Sequence, residues 1–102
     1  MNVWELSELS QFARDVAAQI GVEAREFGQC VLDPRKLVPP DQYDRAVIIP
    51  YMYTEDGHNE HLVLVVRSST EAGRLLVALG DAIRAREDDR GECYLVDSPS
   101  GL

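Results

Sequence analysis

The sequence predicts one α+β domain spanning residues 1–102, with two helices and a small antiparallel-dominated sheet of three or four strands in the order α-β-β-β-α-β. Three observations carry this expectation. Apolar residues recur at helical spacing near both ends of the chain; two apolar runs flank Asp56 and Gly57; and Ser68 with Glu71 three residues on forms a helix-opening pattern directly after the second run.

The first helix is expected over residues 3–20, where Leu6, Leu9, Ala13, Val16, Ala17 and Ile20 form one stripe with Phe12 on its flank. Asn2 and Glu5 have the spacing of a capping box, and Gly21 followed by Val22 suits a Schellman ending. Trp4 has two readings. A helix beginning at Asn2 projects it away from the Leu9 and Ile20 stripe as an exposed interface anchor, whereas a chain that folds back makes it a lid over the core.

A strand is expected over residues 29–32, with Gly28 providing a turn or bulge before it. Residues 33–45 then form a long loop stiffened by Pro34, Pro39 and Pro40, with a single helical turn after Pro40. Loops of this length in a small domain are often functional, but Leu37, Val38 and Tyr43 give this one a structural use as cover for a sheet face.

The apolar runs at 46–53 and 61–67 predict a hairpin. A two-residue turn at Asp56 and Gly57 pairs Glu55 with His58 and Met52 with His61, and a longer loop shifts that pairing by a residue or two. One face then carries Ile48, Pro50, Met52, Val63 and Val65, and the other Val47, Ile49, Tyr51, Tyr53, Leu62, Leu64 and Val66. Both faces are apolar, where a half-exposed sheet would alternate, and a short chain has little material to cover two. Pro50 cannot donate to a ladder and puts its strand at an edge.

The second helix is expected over residues 70–87, with Ala72, Leu75, Leu76, Leu79 and Ile83 inward and Arg74, Asp81 and Arg84 toward solvent. Gly73, Val77 and Gly80 fall on a separate flank, where small residues would admit a close neighbour: the first helix, or the same helix of a second copy. A last short strand at 92–97 is expected parallel to the 62–66 strand through a right-handed crossover.

Eighteen acidic against ten basic residues give a formal charge of −8, which repels phosphate backbones and anionic membranes and argues against direct nucleic-acid binding. Nine of the ten basic residues are Arg, able to make multidentate contacts, although a GC-rich coding sequence gives the same bias. The N-terminal residues have neither a positive region nor an apolar run of signal-peptide type, and no stretch reaches 18 apolar residues, so a soluble cytoplasmic protein without a membrane partner is expected. Cys30 and Cys93 read as buried free thiols.

Chemistry-bearing residues concentrate only at 55–61, where His58 and His61 stand among Glu55, Asp56 and Glu60. Their spacing is not that of two His four apart on a helix with Glu between, and a polar hairpin tip accounts for the same residues, so His58 and His61 are weak metal candidates and no cofactor is expected. No catalytic nucleophile motif accompanies them. The leading expectation is a noncatalytic protein-binding module, of the inhibitor, immunity or chaperone-adaptor kind, partnered by another protein or by itself as a homodimer. Trp4, Tyr51 and Tyr53 would be apolar anchors, Arg74 and Arg84 charged contacts, and Gly73, Val77 and Gly80 a packing flank. The alternative is a small enzyme or ligand-binding domain using the hairpin tip.

Overall fold

The computed structural model describes residues 4–29, 33–53, 59–85 and 93–97, with the backbone alone at residues 29, 50–53 and 59–60. Leu9, Ala13, Val16 and Ala17 follow the helical period and are all buried on α1, Leu6–Gln19. The helix starts later than its apolar period suggests. Glu5 is the N-cap, in extended conformation and without a side-chain cap bond, which leaves Trp4 outside the helix and free to turn inward; Asn2 lies outside the described residues. The C-terminus ends as its sequence demands. Gly21 takes φ +74°, its N–H reaches the Ala18 carbonyl at 3.2 Å, and the Val22 N–H reaches Ala17 at 2.9 Å, the two bonds of a Schellman motif, with Val22 buried.

The first strand, β1, is Arg25–Gln29, preceding the residues that its apolar text favoured; residues 30–32 lie outside the described ones. An edge strand is held by its backbone ladder on one side, so the polar Arg25 and Glu26 serve where apolar side chains were sought. Gly28, at φ +82°, sits where the pairing shifts between Glu26 opposite Leu64 and Gln29 opposite Leu62, so it forms a bulge within the strand.

Two 3-10 turns follow, Pro34–Leu37 and Pro40–Arg45. Asp33 caps the first, accepting from the Arg35 backbone N–H and from Arg35 Nε, each at 3.1 Å. The side-chain bond from Arg35 and then the backbone bond hold the Asp33 carboxyl below its ordinary 3.8. Its support of the turn is therefore present above that value and fades as the pH falls through the lowered one. The Tyr43 hydroxyl donates to the Arg35 carbonyl at 3.4 Å and ties the two turns together.

Strands β2 (Ala46–Tyr53) and β3 (Asn59–Val65) form the central hairpin, pairing Ala46 with Val65, Ile48 with Val63 and Pro50 with His61. This is two residues from the register of a turn at Asp56 and Gly57. An irregularity between Pro50 and Met52 brings Met52 opposite Glu60 and Tyr53 opposite Asn59, one residue from it; residues 54–58 lie outside the described ones. The offset of two, over residues 46–49 and 62–65, leaves the described side chains on their expected faces. Val47, Ile49, Leu62, Leu64 and Val66 therefore share one buried cluster, and Ala46, Ile48, Val63 and Val65 another.

The second helix, α2, is Ser69–Ala85, and Ser68 Oγ accepts from the Glu71 backbone N–H at 3.2 Å as its cap. It buries Ala72, Leu75, Leu79 and Ile83 on the same sheet face as α1. The opposite face is covered by Val38, Leu37 and Tyr43 from the loop and by Tyr94 and Val96 from the C-terminal segment.

The last strand, β4 (Tyr94–Leu95), is antiparallel to β2, contrary to the expected parallel pairing with β3. The sheet order β1-β3-β2-β4 explains the difference. Both edges of β3 are already occupied, so β4 cannot pair with it and joins instead at the outer edge of β2, at Val47 and Ile48. Pro50 falls beyond the pairing with β4 that the described residues make.

Gly21 and Gly73 separate backbone strain from packing, since a Cβ added at either meets nothing within 4 Å. Gly21→Ala should lower stability by about 1–2 kcal/mol because φ is positive, and Gly73→Ala should raise it by about 0.5–1 kcal/mol because the helical backbone suits alanine. Urea denaturation of the two variants checks both signs.

Candidate functional site

Trp4 is not the exposed anchor of the first reading. It is only 4% exposed and joins the main core, its ring 5.0 Å from that of Phe12 at 42°, as the lid of the second reading. A shallow groove of about 450 Å³ crosses this lid, lined by Trp4, Phe12, Ala82 and the acidic Glu8 and Asp15 with Gln11. Tyr51 and Tyr53 lie on β2, and their side chains fall outside the description.

His58 also lies outside the described residues. His61 does not join a polar tip: it is 7% exposed, on the loop-covered face, with its ring edge-on to Tyr94 at 6.4 Å and 83°. Strand alternation puts His61 on the side of Val63 and Val65, which explains the inward position. Among the described residues no three His, Cys, Asp or Glu side chains gather as metal ligands would.

The candidates on α2 divide. Gly73, Val77, Gly80 and Arg84 lie at intervals of four, three and four and make one outward stripe, with Val77 66% exposed. The expected close approach of α1 to this flank does not occur: nothing lies within 4 Å of a Cβ at Gly73, and only the Arg84 guanidinium meets one at Gly80, at 3.5 Å. Arg84 also pairs with Asp81 at 2.6 Å. Arg74 is exposed as expected, and its Nη2 donates to the Ile20 carbonyl at 2.8 Å.

One cleft escaped the linear reading. Arg25, Arg45 and Arg67 line it together with Glu23, Gln42, Val65 and Val66, enclosing about 310 Å³. Antiparallel pairing assembles it, because the starts of β1 and β2 and the end of β3 meet at one end of the sheet. Each arginine is held. Arg25 Nη2 donates to Gln42 Oε1 at 3.0 Å and its guanidinium lies 5.7 Å from the Phe27 ring centre; Arg45 Nε meets Asp44 at 3.3 Å and its Nη2 donates to the Asp41 carbonyl at 3.4 Å. Arg67 donates to Glu71 Oε2 at 3.1 and 3.0 Å and to the Gly21 carbonyl at 3.3 Å. An arginine beside each of three strand termini was the available signal, and it needed the strand order before it meant anything.

Among the described residues no helix is long and apolar enough to cross a membrane. Comparison with protein-family models, curated proteins and solved structures finds no match to this chain.

Cys93 is a free thiol that packs against the main core. Burial pushes it from an ordinary 9.0 up to about 12, with the charge of Arg84 acting weakly the other way. Burial likewise raises the Tyr94 phenol. A raised acid is neutral in both states at low pH, so the folded state loses stability only as the pH climbs from about 9 toward 12, where the unfolded thiol ionises first. In a Cys30→Ser variant, Cys93 should resist iodoacetamide at pH 8 and react at the rate of a free thiol once urea unfolds the chain, as followed by mass spectrometry.

Proposed function

We propose that this chain is a small, acidic, noncatalytic protein-binding module of the inhibitor, immunity or chaperone-adaptor kind, which engages another protein or a second copy of itself through the outward face of α2. The observation that carries the reading is the 66% exposure of Val77, the most exposed large apolar side chain among the described residues. Its stripe neighbour Gly73 presents no side chain and meets nothing within 4 Å among the described residues, so a partner surface can approach the helix backbone on that side of the valine, while the Arg84 guanidinium lies over Gly80 on the other. Arg84, with Asp81 beside it, gives the end of the stripe a charged group able to orient a partner.

The sheet contributes less to this reading than the helix. Where their side chains are described, the apolar residues of β2 and β3 on both faces are buried by the chain's own helices, loop and C-terminal segment, and Phe27 on the edge strand β1 is 38% exposed. Binding through α2 leaves that cover in place, so the module would recognise its partner without rearranging its core.

A photo-crosslinking residue at position 77 should give a discrete adduct in cells, and one at the exposed Ala18 on α1 should not. An adduct of twice the 11.4 kDa chain mass identifies a second copy, and one of another mass a foreign partner. Val77→Asp should weaken the same association at least about tenfold while moving stability by no more than about 0.5 kcal/mol, as for other exposed sites. Equal adducts from both positions, or an association untouched by the aspartate, would remove α2 from the interface.

A further inference from the structure

We infer that the cleft between the strand ends binds a small organic monocarboxylate, its carboxylate held by Arg25 and Arg45. The site is separate from the outward face of α2, and neither reading depends on the other.

Charge is the first argument. In a chain of net charge −8, three arginines line one cleft against a single lining carboxylate, Glu23. Arg25 has no carboxylate bonded to it among the described residues; Gln42 accepts from one of its amino groups and leaves the rest of the guanidinium fork for a ligand. Arg45 is steadied by the adjacent Asp44 and by the Asp41 carbonyl, while Arg67 is bound to Glu71 and to the end of α1. Arg67 thus adds positive potential from a fixed position, and the other two offer planar donors of the kind that take a carboxylate through two parallel bonds.

Size and polarity narrow the ligand. About 310 Å³ is at the small end of ligand sites, and Val65 and Val66, each 3% exposed with their side chains in the cores of opposite sheet faces, leave recognition to the arginines. Counting Glu23, Asp44 and Glu71 against the three arginines leaves the neighbourhood close to neutral, so binding rests on the unfilled guanidinium donors and not on net charge, and a dianion such as a phosphate monoester is disfavoured. A compact acid with a single carboxylate meets both conditions.

The test is a titration of the full chain with benzoate, followed by amide chemical shifts, with inorganic phosphate and benzyl alcohol as parallel probes. Benzoate should bind saturably with a low-millimolar Kd, as a ligand of that size allows, and its largest shifts should fall at Val65, Val66 and Arg67. Arg25→Gln and, independently, Arg45→Gln should each weaken it at least about tenfold. Phosphate binding as tightly as benzoate, benzyl alcohol binding as well as benzoate, shifts mapping elsewhere, or no saturable binding would each overturn the assignment. The shift map of the unmodified chain decides the matter even where a variant fails to fold.

Discussion

The β2–β3 ladder buries aliphatic side chains on both of its sides, and that requirement organises the remainder of the molecule. Val47, Ile49, Leu62 and Leu64 need one cover and Ala46, Ile48, Val63 and Val65 another. A typical small antiparallel sheet leaves one side wet, and each aliphatic side chain left exposed here would forgo about 1.5–3 kcal/mol of burial. The two α-helices therefore share one face, and the proline-stiffened loop with the C-terminal segment closes the other. The long loop is a structural layer: its 3-10 turns, the first capped by Asp33 and the two joined by Tyr43, hold Val38 and Leu37 against the sheet.

Elements whose signal is local were legible in the sequence. Gly21 with Val22 announced the end of α1 because a Schellman motif is written in two adjacent residues, and Ser68 with Glu71 announced α2 in the same way. The two hairpin faces were also readable, since a register offset of two preserves them. Features fixed by distant partners were not. β1 was sought among apolar residues because its stabilising neighbour, β3, lies some forty positions away, and β4 was oriented wrongly because only the full strand order reveals which edge is open. The arginine cleft belongs to this second group, being the meeting of three strand ends, while the outward stripe of α2 belongs to the first.

Arginine has several uses in this acidic chain. Arg35 and Arg84 pair with nearby carboxylates at the surface, where solvent screening leaves such contacts little effect on stability. Arg74 and Arg67 instead neutralise the last carbonyls of α1, where partial negative charge gathers, and they reach it from the two sides of the Ser68 cap. The end of one helix is thereby joined to the beginning of the other. That contact fixes how the helices sit on their shared sheet face, and the same Arg67 closes one side of the cleft.

This junction also bears on the order in which the chain acquires its structure. Ile20 and Arg74 stand 54 positions apart, and β1 enters the sheet beside β3, so α1 and β1 gain their tertiary contacts only after a long loop closes. The stretch from Ala46 to Ala85 is different: a hairpin and the helix that follows it meet through short connections. Chain entropy thus favours this stretch as the template, with the N-terminal part docking afterwards and the two arginines registering its arrival.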